Sequence, residues 1–337
     1  MSLVLDAMGS DTYPEPELLA SIAAALELNE EILLVGDEAI LAEKLAKLNT
    51  RNAPVRIIHA PDVLEMTDKP VDAAKKKPET SMAVGMGLLK SGQARAFVTA
   101  GNTGGAYFTA VTGLRRLQNI SRPALTTTIP TKRGRCVFMD TGANADCRPE
   151  FLLEFAVMGS VYAEKVLGIP NPKVALLANG EEPGKGNQLV KDAHYLLKDS
   201  SLNFYGNVEP KEIFGGEVDV VVADGFSGNV FIKTSEAVGK FILTNIRDEI
   251  KASLVTSLGG LLAKPAFNKL RRLMDPAEVG AAMLLGVDGY VFIGHGRSND
   301  RALLSGLRLA QRAADSGLLD AMKISIQEKL SNLTYQR

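Results

Sequence analysis

An alternation constrains this chain more than any other feature: short apolar runs of strand length are separated by segments with helical apolar spacing. Residues 3–5, 32–35, 55–58, 94–100, 136–140, 173–178, 218–223 and 290–293 read as buried strands. Residues 15–28, 37–48, 81–90, 106–112, 149–167, 188–198 and 230–250 read as helices. Such a succession argues for a three-layer α/β/α sandwich on a mostly parallel sheet. The 337 residues suffice for one large core, and no internal repeat or low-complexity linker divides them. Residues 1–337 are therefore read as a single α/β domain, with 245–276 protruding as an amphipathic helical hairpin.

Five of the strands run out into polar, glycine-bearing loops, at 6–11, 101–105, 140–146, 179–187 and 224–229. In open parallel sheets ligands bind beyond the carboxyl ends of strands, so these loops are expected along one rim. The most informative is Gly101-Asn102-Thr103-Gly104-Gly105, which joins the 94–100 strand to a helix. A strand feeding through glycines into a helix start gathers backbone N–H groups at the positive end of the helix dipole, which suits an anion. Glycine lets the backbone approach a ligand, and Asn102 and Thr103 can cap the helix or donate to an oxygen. Taken alone, the loop reads first as an ordinary strand-to-helix turn; the five loops together favour phosphate or a phosphate-bearing substrate. Lys185, between Gly184 and Gly186 and just before a helix, is a point charge at a second such helix start, or else a surface lysine in a turn.

Two familiar nucleotide motifs fail. The glycine spacing of 180–186 is one residue short of a P-loop, and Gly186 stands where a Ser or Thr must hold magnesium. Gly85-Met86-Gly87 lies inside a helix and has Lys90 where a dinucleotide fingerprint has its third glycine. Cys147 is flanked by no context that brings His59 or His194 beside it as a base, so a small buried thiol fits it better than a nucleophile. His295, between Gly294 and Gly296, reads as a general acid, a phosphate donor or a structural histidine. Asp6, Asp11, Asp140 and Asp146 have no diagnostic ligand spacing, and neither a metal nor another cofactor is expected.

A net charge of −1 gives no overall field that points to nucleic acid, so electrostatic recognition must be local. Two cysteines make no disulfide or zinc framework, and no basic-then-apolar leader follows Met1. No run approaches the ~20 apolar residues needed to span a bilayer. The expectation is a cytoplasmic protein that meets a membrane only from the side. Residues 251–274 stand apart: Leu254, Leu258, Leu261, Leu262, Phe267, Leu270 and Met274 keep helical spacing, while Lys251, Lys264, Lys269, Arg271 and Arg272 face no acid. A basic amphipathic hairpin suits an anionic lipid surface, at ~1 kcal/mol per basic residue, and equally suits a dimer-forming helical pair.

Seven stretches carry a family likeness: Asp6-Ala7-Met8-Gly9, Gly101-Asn102-Thr103-Gly104, Asp140-Thr141-Gly142-Ala143-Asn144, Met158-Gly159-Ser160, Lys185-Gly186-Asn187, Asp224-Gly225-Phe226-Ser227-Gly228-Asn229-Val230 and His295-Gly296. In order and spacing they resemble the bacterial phosphate acyltransferases, the PlsX family, over essentially the whole chain. The resemblance implies transfer of a fatty acyl group from acyl carrier protein to inorganic phosphate, giving acyl phosphate for phospholipid synthesis. It further implies a fold like the isocitrate and isopropylmalate dehydrogenases, a homodimer, and peripheral membrane association. Thr80 replaces the first serine of the family's basic-then-Ser-Ser-Met segment, and the glycine pair near 279–280 is Val279-Gly280.

By that resemblance Lys185, Asn229 and His295 carry the chemistry, and Gly101, Asn102, Thr103, Gly104 and Ser227 bind phosphate. Asp6, Met8, Gly9, Asn144 and Asn187 bind substrate. Oxyanion contact falls to Asn229 or Asn144, and His295 assists the leaving sulfur. Residues 75–77, Arg115-Arg116 and the cluster Lys264, Lys269, Arg271 and Arg272 are candidates to meet an acidic carrier protein, and Leu258 and Leu261 to meet lipid. Phosphate monoesters have a second pKa near ~6 and inorganic phosphate loses its second proton closer to neutrality, so a substantial share of the nucleophile is dianionic at neutral pH and needs holding more than deprotonation. Three rivals stand beside this reading: a phosphotransacetylase-like enzyme using acyl-coenzyme A, a nicotinamide-dependent dehydrogenase suggested by fold analogy alone, and a non-catalytic peripheral membrane scaffold.

Overall fold

The strands of this computed structural model, which describes residues 2–330, pair into one sheet. The side chains of Ala74, Lys75 and Pro276 lie outside the described part, and with them the first lysine of the 75–77 run. In chain order the strands are β1 (Ser2–Asp6), β2 (Ile32–Gly36), β3 (Val55–His59), β4 (Ala94–Thr99), β5 (Ala124–Thr131) and β6 (Gly134–Met139). They continue with β7 (Val174–Leu177), β8 (Phe204–Val208), β9 (Val220–Val222), β10 (Ala281–Leu285) and β11 (Tyr290–Gly294). Their order across the sheet is β3-β2-β1-β4-β11-β10-β5-β6-β9-β7-β8.

The helices are α1 (Glu15–Leu28), α2 (Glu38–Leu45), α3 (Pro70–Lys76), α4 (Ser81–Lys90), α5 (Thr103–Gly113) and α6 (Pro149–Val166). After them come α7 (Gln188–Lys198), α8 (Pro210–Gly215), α9 (Gly225–Lys251), α10 (Leu254–Leu273), α11 (Asp300–Asp315) and α12 (Leu318–Leu330). One face of the sheet carries α1, α2, α6, α7, α11 and α12 over a continuous apolar core that includes Leu5, Phe155, Tyr162, Phe292 and Leu307. The other face has two separate cores. Val4, Phe97, Met82 and Met86 pack under α4 and α5, while Ile129, Phe138, Val221 and Ile213 pack under α8 and the start of α9. Burial on both faces is why strands such as Ser2–Asp6 are buried at every position, as in parallel sheets covered by helices.

The loops do not share a single rim. β5 and β10 each pair antiparallel with both neighbours, whereas β6, β9, β7 and β8 run parallel to one another. The reversal places the loops after β1, β4 and β11 at one rim and those after β6, β7 and β9 at the other. Neither reversing strand is legible locally. Ala124–Thr131 is rich in threonine and holds Pro130, and Ala281–Leu285 is too short to separate from a helix fragment. The gap between the two cores lies over β5 and β10, and it opens the face of the sheet from one rim to the other.

Within the expected 245–276 segment the chain turns at Ala252 and Ser253, and Pro265 sits inside α10 without ending it. α10 leans back along α9: a Cβ on Gly260 would meet Ile250, and one on Gly239 would meet Met274. No residue of α10 is buried, and Leu258 is 66% exposed.

Candidate active site

Asp6, at the end of β1, is fully buried and ties together the loops of the first rim. Its carboxylate accepts from Met8 N (3.0 Å) and Thr99 Oγ1 (2.7 Å), and Thr99 Oγ1 accepts from Gly101 N (2.9 Å). Burial pushes this carboxyl above the ordinary carboxylate range. Gly9 is required by proximity, since a Cβ there would lie 2.8 Å from Gly101 N. Asp11 N donates to Gly296 O (2.7 Å), which draws in the loop bearing His295. Glu17, which sequence reading passed over, reaches this loop from α1: its carboxylate accepts from Ser10 N (3.3 Å), and burial pushes its pKa up to about 7. Asp6, Met8 and Gly9, expected to touch substrate, are buried within this packing and do not line the cavity; they position the loop that does.

Asn102 is the strut of the 101–105 turn. Its Nδ2 donates to the carbonyls of Glu65, Met66 and Asp68 (3.2 Å each), and its Oδ1 accepts from Gly105 N (3.0 Å). The N–H groups of Thr103 and Gly104 occupy the first two helical positions of α5, which have no intrahelical acceptor, and both residues are exposed.

At the second rim, Asp140 takes the place of Asp6. Its carboxylate accepts from Leu125 N, Gly142 N, Ala143 N, Asn144 N and Asn144 Nδ2 at 2.7–3.1 Å. Asn144 also donates to Pro123 O (2.8 Å), so its amide is committed to holding the turn. Asn229 is the freer of the two amides proposed for the oxyanion: it lines the cavity, and a Cβ on Gly142 would come within 2.5 Å of its Nδ2. Gly142 has φ +137°, so glycine is favoured there on both counts. Asp224 caps α9 and accepts from both Ser227 N and Ser227 Oγ (2.8 Å each). A carboxylate thus occupies the anion seat of α9 and accepts the Ser227 hydroxyl's hydrogen bond, whereas α5 is capped by a neutral amide. Of the two helix starts, only α5 has its anion seat free of a carboxylate, and the Ser227 hydroxyl is committed to Asp224.

Asn187 caps α7 by accepting from Val190 N (2.9 Å), and Asn179 Oδ1 accepts from Gly186 N (2.8 Å). These bonds shape the 179–187 loop, on which the exposed Lys185 lays its stem over Gly180. Cys147 donates to Asn144 O (3.5 Å), and burial pushes its thiol up to about 12, which disqualifies it as a neutral-pH nucleophile.

A cavity of about 1060 Å³ crosses the sheet face between the two cores. Thr103 and His295 line it from the first rim, and Gly142, Gly186, Asn187 and Asn229 from the second. Between them the walls are largely apolar, with Val230, Val238, Ile242, Leu273 and Met274 among them. The expected sharing of one rim fails, yet Thr103 and, next to Lys185, Gly186 and Asn187 line the same cavity from its two sides; Lys185, Gly101, Asn102 and Gly104 are not part of its lining. The size is at the upper end for ligand sites, and an apolar trough with polar ends suits a long acyl chain whose reactive head is anionic.

Sequence comparison agrees with this chemistry. Residues 1–320 match a family described as "Fatty acid synthesis protein". A protein of Elusimicrobium minutum named phosphate acyltransferase is 43% identical over 97% of this chain and 96% of its own length. One of Moorella thermoacetica with the same name is 44% identical over 96% of this chain and 95% of its own. Among solved structures, the EutD phosphotransacetylase of Staphylococcus aureus superposes with a TM-score of 0.60 at 16% identity, covering 92% of this chain and 94% of that one. A branched-chain phosphotransacylase of Enterococcus faecalis gives 0.59 at 16% identity, covering 94% and 100%. At such identities these two speak to the fold alone.

Proposed function

The chain belongs to the fatty acid synthesis protein family and transfers acyl groups to phosphate, and we propose that the cavity between the two rims is where it takes a fatty acyl group from acyl carrier protein. The observation that carries this reading is the cavity itself, with the uncharged cap of α5 at one end and apolar walls beyond it. Phosphate dianion sits on the N–H groups of Thr103 and Gly104, where backbone donors and the helix dipole favour it. Lys185, beside the cavity-lining Gly186 and Asn187, supplies the counter-charge. The phosphate oxygen attacks the thioester carbonyl, the Asn229 amide donates to the developing oxyanion, and the acyl chain lies along Val230, Val238 and Ile242. The leaving thiol, with a pKa of about 8.5, departs without a strong acid, and His295 donates to it.

The deciding experiment is phosphate-dependent thiol release from a long-chain acyl carrier protein, run beside the matching coenzyme A thioester. Release from both carriers at equal efficiency would favour a phosphotransacetylase-like donor. Release that does not depend on phosphate would reject the reaction. Within it, Lys185→Ala is expected to lose one charge-assisted hydrogen bond of about 1.5–3 kcal/mol, a tenfold to hundredfold fall in kcat/KM for phosphate. An unchanged value would remove Lys185 from the site.

Among the described residues no helix is long and apolar enough to cross a membrane. Peripheral association falls to α10, where Leu258 and Leu261 are exposed beside Lys264, Lys269, Arg271 and Arg272. Burying one leucine in the interface is worth ~1.5–3 kcal/mol, so Leu258→Glu or Leu261→Glu is expected to cut binding to anionic vesicles at least tenfold. Full co-flotation of either variant would reject α10 as the anchor. The homodimer that the family resemblance implies is an expectation for sedimentation.

A further inference from the structure

Beside the main cavity lies a second hollow of about 730 Å³ whose rim carries Arg116, Arg122 and Arg148 together with Tyr107 and Cys147. None of these three arginines makes an ion pair among the described residues, although Arg116 donates to Ser121 O and Arg122 to the Tyr107 hydroxyl. Asp146 also lines the hollow, and the buried Glu154 accepts from Ser121 of its lining (2.8 Å), so three guanidinium groups stand near two carboxylates and the local balance is positive in a chain of net charge −1. Guanidinium forks match phosphate oxygens in pairs, and three without an ion-pair partner lining one concave surface favour a phosphate ester over a lone carboxylate.

The hollow and the cavity are built on three shared segments of chain. Thr103, Leu125 and Gly142 line the cavity; Tyr107, Arg122 and Asp146, a few residues away on the same segments, line the hollow. From Thr103 to Val111, which also lines the hollow, α5 covers about 12 Å at 1.5 Å per residue. We propose that Arg116, Arg122 and Arg148 seat the phosphate ester at the far end of the donor's thioester arm, with the arm running along α5 to a thioester held at Thr103. The acyl chain and the arm then leave the reacting carbonyl in different directions, one under α9 and the other beside α5. This inference rests on the transfer reaction proposed above. It assigns the seat to the phosphopantetheine arm that acyl carrier protein and coenzyme A have in common, and not to the phosphate that attacks.

The test compares palmitoyl-phosphopantetheine with palmitoyl-pantetheine, which lacks the phosphate, as donors at fixed inorganic phosphate. The wild-type protein is expected to favour the phosphorylated donor at least tenfold in kcat/KM. In Arg122→Ala/Arg148→Ala the two donors converge, and Arg122→Lys/Arg148→Lys, which keeps the charge but loses the fork, restores part of the preference. A preference that survives in the alanine variant, or is absent from the wild type, overturns the proposal. So does a rise in KM for inorganic phosphate with the donor preference intact, because the seat would then hold the attacking ion. If the double variant does not fold, Arg122→Ala and Arg148→Ala are read singly by the same criterion. Wild-type turnover of palmitoyl-acyl carrier protein, run alongside, separates the two readings: its absence rejects the transfer reaction, whereas turnover without a phosphate preference rejects the seat alone.

Discussion

Asn229→Ala is expected to lower kcat by 10²–10³ while leaving the KM for phosphate within a few-fold of wild type. The side chain lines the cavity at the start of α9, with its Nδ2 against Gly142, and none of the turn-holding bonds that commit Asn144 falls on it. Removing a single oxyanion donor costs ~2.7–4 kcal/mol of transition-state stabilisation, because a preorganised dipole in a site that excludes water needs no reorientation as charge develops. The ground-state carbonyl carries little charge, so binding changes far less than rate. Asn144→Ala serves as the contrast. Its amide donates to Asp140 Oδ2 (2.9 Å) and Pro123 O (2.8 Å), so its loss is expected to appear as a lower melting temperature. Single-turnover kinetics paired with thermal melts separates the two. A kcat for Asn229→Ala near wild type would remove it from the oxyanion.

Gly228→Ala is expected to destabilise the fold by about 3 kcal/mol and to abolish turnover. A Cβ at this position would fall inside the carbonyl oxygen of Asp140 and within 3.0 Å of Phe138 Cε1. The obstructing atom is backbone, held in place by the Asp140 turn, so no rotamer change relieves the overlap. Overpacking of this kind costs ~1–3 kcal/mol and sometimes more. The opposing gain, alanine over glycine in a helix, is at most about 1 kcal/mol, so steric overlap wins. Relief requires α9 to lift from the 140–146 turn, and the Asn229 amide and the wall at Val230 lift with it. Denaturant unfolding and thiol release on the same preparation check both effects. Wild-type stability would mean that α9 does not approach Asp140 this closely.

Much of this molecule is legible in one dimension. Strand-length apolar runs and helical spacings mark β1, β2, β4, α1, α6 and α7 because burial on a covered face imposes a local period. The polar endings of those strands, and the exposed basic-apolar α10, are visible for the same reason. Short or mixed elements are lost, since β8 holds Gly206, α3 and α8 are brief, and β5 is threonine-rich. Those segments lack enough residues of one kind to show a period.

What only tertiary structure decides is pairing and direction. Whether β5 and β10 run with or against their neighbours depends on hydrogen bonds to residues far along the chain, as in Met283 opposite Thr126, and that choice moved half of the loops to the other rim. The bonding of chemically equal residues is decided in the same way. Asn144 and Asn229 are both amides beside strand-end turns, but the carboxylate of Asp140 and the carbonyl of Pro123 claim only the first. Thr103 and Ser227 both begin helices, yet a carboxylate caps only the second. Arg148 lies well along the chain from Arg116 and Arg122, which share the α5–β5 connection, and joins them only where the loops fold together. Local pattern therefore determined which elements form and which groups were on offer, while long-range packing determined which of those groups remained unpaired and faced a common space.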